Sequence, residues 1–163
     1  MYKVLFVCTA NICRTPIAEY YLNHLVKKEE LEELIMVESA GTWAMEGMPA
    51  AEFSQQVCAN EGLDLSNHRS QPIDLYLMKR ADLVLCMSIE HKYDLSQIFP
   101  HLKDKIFTLK EYSSQNTQNL ISIADPYGRS IDKYQETYKL ITGEIDRIFA
   151  VIKKNAREKC PVS

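Results

Sequence analysis

A cysteine and an arginine near the start of the chain are spaced so that both could act on one phosphate group. Cys8 ends a short apolar run, and Arg14 follows six residues later. Thr15-Pro16 predicts that a helix begins here, with Thr15 as N-cap and Pro16 at the first helical position. The backbone N–H groups of such a loop, together with the positive end of the helix, can surround an anion.

This arrangement would place a nucleophilic thiolate beside a bound phosphate. An arginine adds a full charge and a planar fork that matches two phosphoryl oxygens. Cations and helix N-termini stabilise the thiolate form of a nearby cysteine. The segment lacks the G-K-[ST] ending of nucleotide-binding loops, which disfavours nucleotide hydrolysis. The alternative is that Cys8 is an ordinary buried cysteine at a strand end, because the C-x5-R pattern also recurs by chance.

The elements that must position this loop alternate between strands and helices. Short apolar runs predict four strands, at Tyr2–Val7, Leu34–Glu38, Leu83–Met87 and Ile106–Leu109. The predicted helices follow Thr15, cover Met48–Gly62, Ile73–Lys79 and Ser88–Phe99, and begin again at Ser130. The polar segment Tyr112–Ala124 is expected to be a loop or a broken helix.

This alternation predicts one α/β domain over residues 1–163. We expect a four-stranded parallel sheet with helices on both faces. Ligands of such sheets bind beyond the carboxyl ends of the strands, at helix N-termini. The loop between Cys8 and Arg14 has this position in the predicted fold.

Composition excludes several classes of protein. The chain has 163 residues, 46% of them hydrophobic, with a net charge of −3. The small negative charge disfavours a nucleic-acid-binding protein. The apolar runs are too short for a membrane span or a secretory signal. The five cysteines, an odd number without a C-x2-C pair, indicate free thiols rather than disulfides or structural zinc. We therefore expect a cytoplasmic protein that does not act at a membrane.

The segment Val7–Pro16, V-C-T-A-N-I-C-R-T-P, closely resembles the phosphate-binding loop of the low-molecular-weight protein tyrosine phosphatases. That family also has an Asp-Pro loop near its C-terminus, which matches Asp125-Pro126-Tyr127 here. The similarity extends over the whole chain and includes Ser39-Ala40-Gly41-Thr42. The resemblance implies that family's fold, a phosphorylated protein as substrate, and inorganic phosphate or sulfate as ligand. It also implies a monomer without a cofactor or metal.

By position, the resemblance assigns three catalytic residues. Cys8 would attack phosphorus, Arg14 would bind the phosphate oxygens, and Asp125 would protonate the leaving group and then activate water. The phosphate would otherwise be held by the loop residues Thr9, Ala10, Asn11, Ile12, Cys13 and Thr15. Taken alone, Asp125-Pro126 could equally be an ordinary turn.

The resemblance also implies supporting roles. Asn11 would hold the loop, Thr15 would activate Cys8, and His68 would orient the Thr15 hydroxyl, unless His68 is a surface histidine. Cys13 could trap oxidised Cys8 as a disulfide, or simply pack. The residues expected to contact substrate are Ile12, Trp43 and Tyr127, with a partly buried core position as the alternative for Trp43. The remaining histidines, His24, His91 and His101, are interpreted as structural.

Two positions of the loop bear on its shape and its substrate. Ala10 stands where the family usually has Gly, which would strain the loop if this position needs a positive φ. The downstream half resembles the bacterial branch that includes protein arginine phosphatases, whose loop typically has Thr at the position of Ile12. A branched aliphatic side chain offers a flat wall to a phenyl ring and no acceptor to a guanidinium. We therefore predict phosphotyrosine as substrate, with phosphoarginine as the alternative.

Two other classes of protein share parts of this pattern. Thioredoxin-coupled arsenate reductases resemble this fold and loop but need two further cysteines close together, whereas Cys58 and Cys86 are 28 residues apart. A non-catalytic phosphate-binding module would be expected to lack Cys8 or the acid, and this chain has both. The sequence therefore favours a phosphatase over both classes.

Overall fold

The computed structural model describes residues 1–115 and 121–161. These residues contain a four-stranded sheet in which all neighbouring strands are parallel. The strands, in the spatial order β2-β1-β3-β4, are β1 (Tyr2–Cys8), β2 (Ile35–Gly41), β3 (Leu83–Cys86) and β4 (Ile106–Thr108). The predicted sheet is confirmed.

Alternate residues of β1 face opposite sides of the sheet, because strand side chains have a period of two. Phe6 belongs to the larger apolar cluster, which includes Ile17 and Ile145. Val7 belongs to a second cluster with Leu95. Both faces of the sheet are therefore covered by helices, as predicted.

The helices follow the strands along the chain. They are α1 (Arg14–Lys28), α2 (Glu52–Asn60), α3 (Leu75–Arg80), α4 (Ile89–Ile98) and α5 (Ile131–Lys159), with a 3₁₀ helix at Pro100–Lys105. Within the described ranges, no helix is both long enough and apolar enough to cross a bilayer.

The carboxyl ends of three strands meet at one edge of the sheet. Cys8 is paired with Gly41 of β2, and Val7 is paired with Cys86 of β3. The second strand runs to Gly41 rather than ending at Glu38, because its last residues continue the ladder with β1. The loop after Cys8 therefore leaves the sheet at the edge where ligands of parallel sheets bind.

The first helix begins earlier than the sequence predicts. Arg14 is its first residue and Cys13 occupies the N-cap position, so the prediction that Thr15 is the N-cap is wrong. Pro16 lies in the first turn, where its missing N–H would have no partner within the helix. The Thr15 hydroxyl is used instead on Cys8. A contact within the loop thus replaces the predicted cap.

The second helix is shorter than predicted. It starts at Glu52, and residues 48–51 precede it as irregular chain. The backbone of Met48 accepts a hydrogen bond from Ser70, and Ala51 donates to the carbonyl of Ile12 at 2.7 Å. The bond from Ala51 holds the end of this segment against the loop between Cys8 and Arg14, and the bond from Ser70 holds its start. The predicted loop Tyr112–Ala124 is confirmed where the structure describes it; residues 116–120 lie outside the described residues.

Candidate active site

The loop between β1 and α1 forms a cleft of about 250 Å³ at the carboxyl edge of the sheet. Residues 8–10 and 12–14 line it, together with Asp125 and Tyr127 from the far end of the chain. The structure therefore brings together the residues predicted to be catalytic: Cys8, Arg14 and Asp125.

The sulfur of Cys8 is surrounded by hydrogen-bond donors. Cys8 is only 2% exposed, and its Sγ accepts the backbone N–H of Asn11 at 3.3 Å. The Oγ1 of Thr15 lies 3.1 Å from the same sulfur. Because Thr15 Oγ1 accepts a bond from Asn11 Nδ2 at 2.8 Å, its own proton is free to point at the sulfur. Two donors aimed at one sulfur stabilise its negatively charged form.

Asn11 takes the strained conformation of the loop. Its φ of 58° lies in the left-handed region, which Asn tolerates better than most residues. Its buried side chain donates to Thr15 and to Ser39, each at 2.8 Å, and accepts the backbone N–H of Gln71 at 2.9 Å. Ala10 does not have a positive φ, so replacing Gly there brings no left-handed strain.

A network of polar side chains holds Asn11 in place. His68 Nε2 lies 2.7 Å from the Asn11 carbonyl oxygen, and its Nδ1 lies 3.8 Å from a Glu19 carboxyl oxygen. The Ser39 hydroxyl, which accepts a bond from Asn11, donates to Glu19. Burial lowers the pKa of His68 and raises that of Glu19 to about 7. His68 is thus no surface histidine, and it reaches Thr15 through Asn11 rather than directly.

Arg14 is buried at the side of the cleft. Its Nη1 donates to the carbonyl of Ile123 at 2.9 Å, and its Nη2 lies 3.4 Å from the Asp125 carboxylate. Its Nε is buried and has no hydrogen-bond partner among the described residues. Unpaired buried donors are rare in proteins. Since Arg14 lines the cleft, this N–H is available to an anion bound there.

The rim of the cleft is apolar. Ile12 and Tyr127 line it, and Tyr127 is 68% exposed. Trp43 is 84% exposed, which excludes a core position, but its side chain is not part of the cleft wall. Its backbone N–H donates to the Thr9 carbonyl at 2.9 Å. Of the three residues predicted to contact substrate, the structure therefore places two at the cleft.

Two side chains near the loop were missed at the sequence level. His91, interpreted as structural, has Nε2 at 2.9 Å from the Thr9 hydroxyl. The hydroxyl of Tyr134 lies 3.5 Å from the sulfur of Cys13, which is a free thiol whose pKa burial raises to about 11. A signal for His91 existed in the sequence: it stands in the first turn of a helix that follows a neighbouring parallel strand.

Comparison with known proteins decides the family. Residues 3–158 match the family model described as low molecular weight phosphotyrosine protein phosphatase. The chain belongs to this family. It is therefore a phosphatase.

The relatives of this phosphatase include two substrate classes. The protein-arginine-phosphatase of Bacillus subtilis strain 168 is 34% identical over 94% of this chain and 99% of its own length. The low molecular weight protein-tyrosine-phosphatase Ptp of Acinetobacter johnsonii is 36% identical over 85% of this chain and 89% of its own length. Family membership therefore does not identify the substrate class, which must be inferred from the residues that line the cleft.

A solved structure of a relative shows a phosphorylated residue. It is a Cys-to-Ser variant of the YwlE arginine phosphatase with a phosphorylated active-site serine. It is 34% identical to this chain, with a TM-score of 0.87, over 95% of this chain and 98% of that one. In that protein the phosphate is therefore covalently attached to the chain.

Proposed function

We propose that this chain is a protein phosphatase that hydrolyses phosphotyrosine monoesters through a cysteinyl-phosphate intermediate. One observation supports this most directly. The sulfur of Cys8, with two donors aimed at it, shares a cleft with the unpaired buried N–H of Arg14 and the carboxyl group of Asp125. A nucleophile, an anion-binding donor and a proton donor are thus combined at one site.

The first step transfers the phosphoryl group to the enzyme. The Cys8 thiolate attacks phosphorus, an S–P bond forms, and the bond between phosphorus and the tyrosine oxygen breaks. Arg14 and the loop N–H groups bind the equatorial oxygens, where charge must be stabilised. Asp125 gives its proton to the leaving phenolate, so that tyrosine leaves as a neutral phenol.

The second step releases phosphate. Asp125, now a carboxylate, takes a proton from a water molecule that attacks phosphorus. The S–P bond breaks, and the electron pair returns to the Cys8 sulfur, which again accepts bonds from Thr15 and Asn11. The thiolate regenerates, and inorganic phosphate is the product.

The rim of the cleft supports phosphotyrosine as substrate. Ile12 is half-buried and packs against Cys13, Val57 and Tyr134, so its position is fixed. With Tyr127 it offers apolar surface to a flat ring. Phosphoarginine is the second candidate, because the relative from Bacillus subtilis is a protein-arginine-phosphatase. This chain matches that relative over 99% of its length.

Exchanging Ile12 tests the substrate class. Two peptides of one sequence, phosphorylated on tyrosine or on arginine, are compared with wild type, Ile12→Thr and the control Ile12→Val. We expect wild type and Ile12→Val to prefer phosphotyrosine, and Ile12→Thr to shift at least about tenfold towards phosphoarginine. Preference of the wild type for phosphoarginine would overturn the assignment of phosphotyrosine.

A second experiment tests the reaction class. We expect steady turnover of p-nitrophenyl phosphate by the wild type and none by Cys8→Ser. Arsenate reduction without phosphatase activity would identify a reductase instead, although Cys58 and Cys86 are both buried free thiols far apart in sequence. Phosphate binding without turnover would identify a binding module.

We also propose that the enzyme works as a cytoplasmic monomer on phosphorylated proteins. All five cysteines are free thiols, as the reducing cytoplasm favours. Size-exclusion chromatography with light scattering tests the monomer, and fractionation of cells tests the location.

A further inference from the structure

His91 joins the phosphate-binding loop to the start of α4. Its Nε2 lies 2.9 Å from the hydroxyl oxygen of Thr9, and its Nδ1 lies 2.9 Å from the hydroxyl oxygen of Ser88. Ser88 is the N-cap of α4 and accepts the backbone N–H of His91. The ring therefore bridges the residue after the nucleophile and a helix terminus, across a separation of 82 residues.

We propose that His91 is a positioning residue of the phosphatase reaction, which fixes Thr9 and with it one wall of the phosphate cleft. This inference rests on the function proposed above. The hydrogen bond between the Thr9 hydroxyl and His91 connects this wall of the cleft to α4. The Thr9 carbonyl is held from the other side by the Trp43 N–H.

Thr9 separates two adjoining clefts. It lines the phosphate cleft, and it also lines an open cleft of about 390 Å³ that His91, Ser88 and Glu90 border. Arg14 and Asp125 line both clefts as well. Without the bond to His91, the Thr9 side chain could turn into the second cleft, and the loop beside the nucleophile would lose its support there.

Burial keeps the His91 ring neutral. The charged groups that face it are Arg14, Glu90, Asp94 and Asp125. Burial, followed by the charge of Arg14, lowers the pKa of His91 to about 4. A neutral imidazole has one donor and one acceptor, which suits two hydroxyl partners. It also adds no second cation that would compete with Arg14 for Asp125.

A double-mutant cycle between the two residues tests the proposal. His91→Phe keeps a ring in the buried space without its nitrogens, and Thr9→Val keeps the branched shape without its hydroxyl. We expect each single variant to lower kcat/KM for p-nitrophenyl phosphate about tenfold, through the same lost bond. The double variant should then be no more than about twofold worse than the poorer single variant. A loss equal to the product of the single losses would overturn the proposal.

Companion variants separate positioning from folding. His91→Gln can place an amide near the former Nε2 and is expected to recover most of the activity; failure to rise above His91→Phe would contradict a bond to Thr9. His24→Phe, at an exposed position of α1, is the matched control and should behave like wild type. His91→Asn, too short to reach Thr9, completes the cycle if phenylalanine prevents folding.

The outcome also distinguishes this inference from the proposed function. Phosphatase activity that persists in the Cys8→Ser variant would refute the proposed function. The activity could instead depend on Cys8 while the loss in the double variant equals the product of the two single losses. That result would refute only the role of His91.

Discussion

Arg14 and Asp125 form an ion pair across the cleft, with Nη2 of Arg14 at 3.4 Å from the Asp125 carboxylate. Asp125 is half-exposed, and ion pairs with an exposed partner are weak. We therefore expect a phosphate dianion that enters the cleft to displace Asp125 from the guanidinium. In the proposed mechanism, phosphate bound to Arg14 releases Asp125 from this pair for its part in the reaction.

Asp125→Asn should separate these two effects. Because the amide cannot donate as an acid, kcat/KM for a phosphotyrosine peptide, which reports the first step, should fall about 10²–10⁴-fold. The kcat/KM for p-nitrophenyl phosphate, whose leaving group needs no proton, should fall much less. Phosphate should inhibit the variant more strongly, because a competing charge has been removed from Arg14. Steady-state kinetics with both substrates measures these changes, with Asp132→Asn, at an exposed position of α5, as control. An equal fall of kcat/KM for both substrates would remove Asp125 from the role of acid.

Asn11→Asp should disturb the loop without changing its shape. The aspartate keeps the size and tolerates the same φ, but it lacks the two N–H donors to Thr15 and Ser39. We expect the free energy of unfolding to fall by about 2–4 kcal/mol and kcat to fall at least about tenfold. Urea unfolding and turnover measure the two changes, and Asn23→Asp, at an exposed position of α1, is the control. A variant as stable and as active as wild type would show that the network around Asn11 is dispensable.

The sequence predicts the fold well because its signals are local. Apolar runs mark the strands, and their alternation with helices implies a parallel sheet, so the position of Cys8 at the carboxyl edge follows. The boundaries near the site are less predictable. Residues 48–51 have a helical pattern, but the bond from Ala51 to the Ile12 carbonyl holds them out of the helix. Thr15 is of a residue type and in a position typical of an N-cap, but its hydroxyl contacts Cys8 instead.

The residues of the site also differ in how well the sequence identifies them. The Cys8 to Arg14 loop can be identified from its spacing, whereas the role of Asp125 is indicated only by resemblance to a family. The place of His91 in the first turn after a parallel strand indicates that it lies at the carboxyl edge of the sheet, but not which residue it contacts. Only the pairing of β1 with β3 brings the first turn of α4 to Thr9. Tyr134 reaches Cys13 across 121 residues because α5 packs against the loop side of the molecule.

Glu19 should make the stability of the enzyme depend on pH. Burial raises the pKa of Glu19 to about 7 from an ordinary 4.5, so the folded protein holds this proton more tightly than the unfolded chain does. The stability that Glu19 contributes is complete below about pH 4.5 and is lost as pH rises through 7. Glu19→Gln should remove this loss, on the order of 2 kcal/mol between pH 5 and pH 8.

Urea unfolding of both proteins at pH 5 and pH 8 measures this difference. Glu32→Gln, at an exposed position, should keep the pH dependence of the wild type. A Glu19→Gln variant that is no more stable than wild type at pH 8 would contradict the assignment of a costly buried charge to Glu19.

The covalent intermediate on Cys8 provides the most direct test of the central claim. Asp125→Asn should accumulate it, because the variant cannot activate water for the second step. The measurement is mass spectrometry of the peptide that contains Cys8 after rapid alkaline denaturation of a reaction with p-nitrophenyl phosphate, whose leaving group needs no proton in the first step. We predict a phosphate group on Cys8, and neither phosphate nor turnover in Cys8→Ala. Hydrolysis without a phosphorylated cysteine, or turnover that survives in Cys8→Ala, would contradict this account of the enzyme.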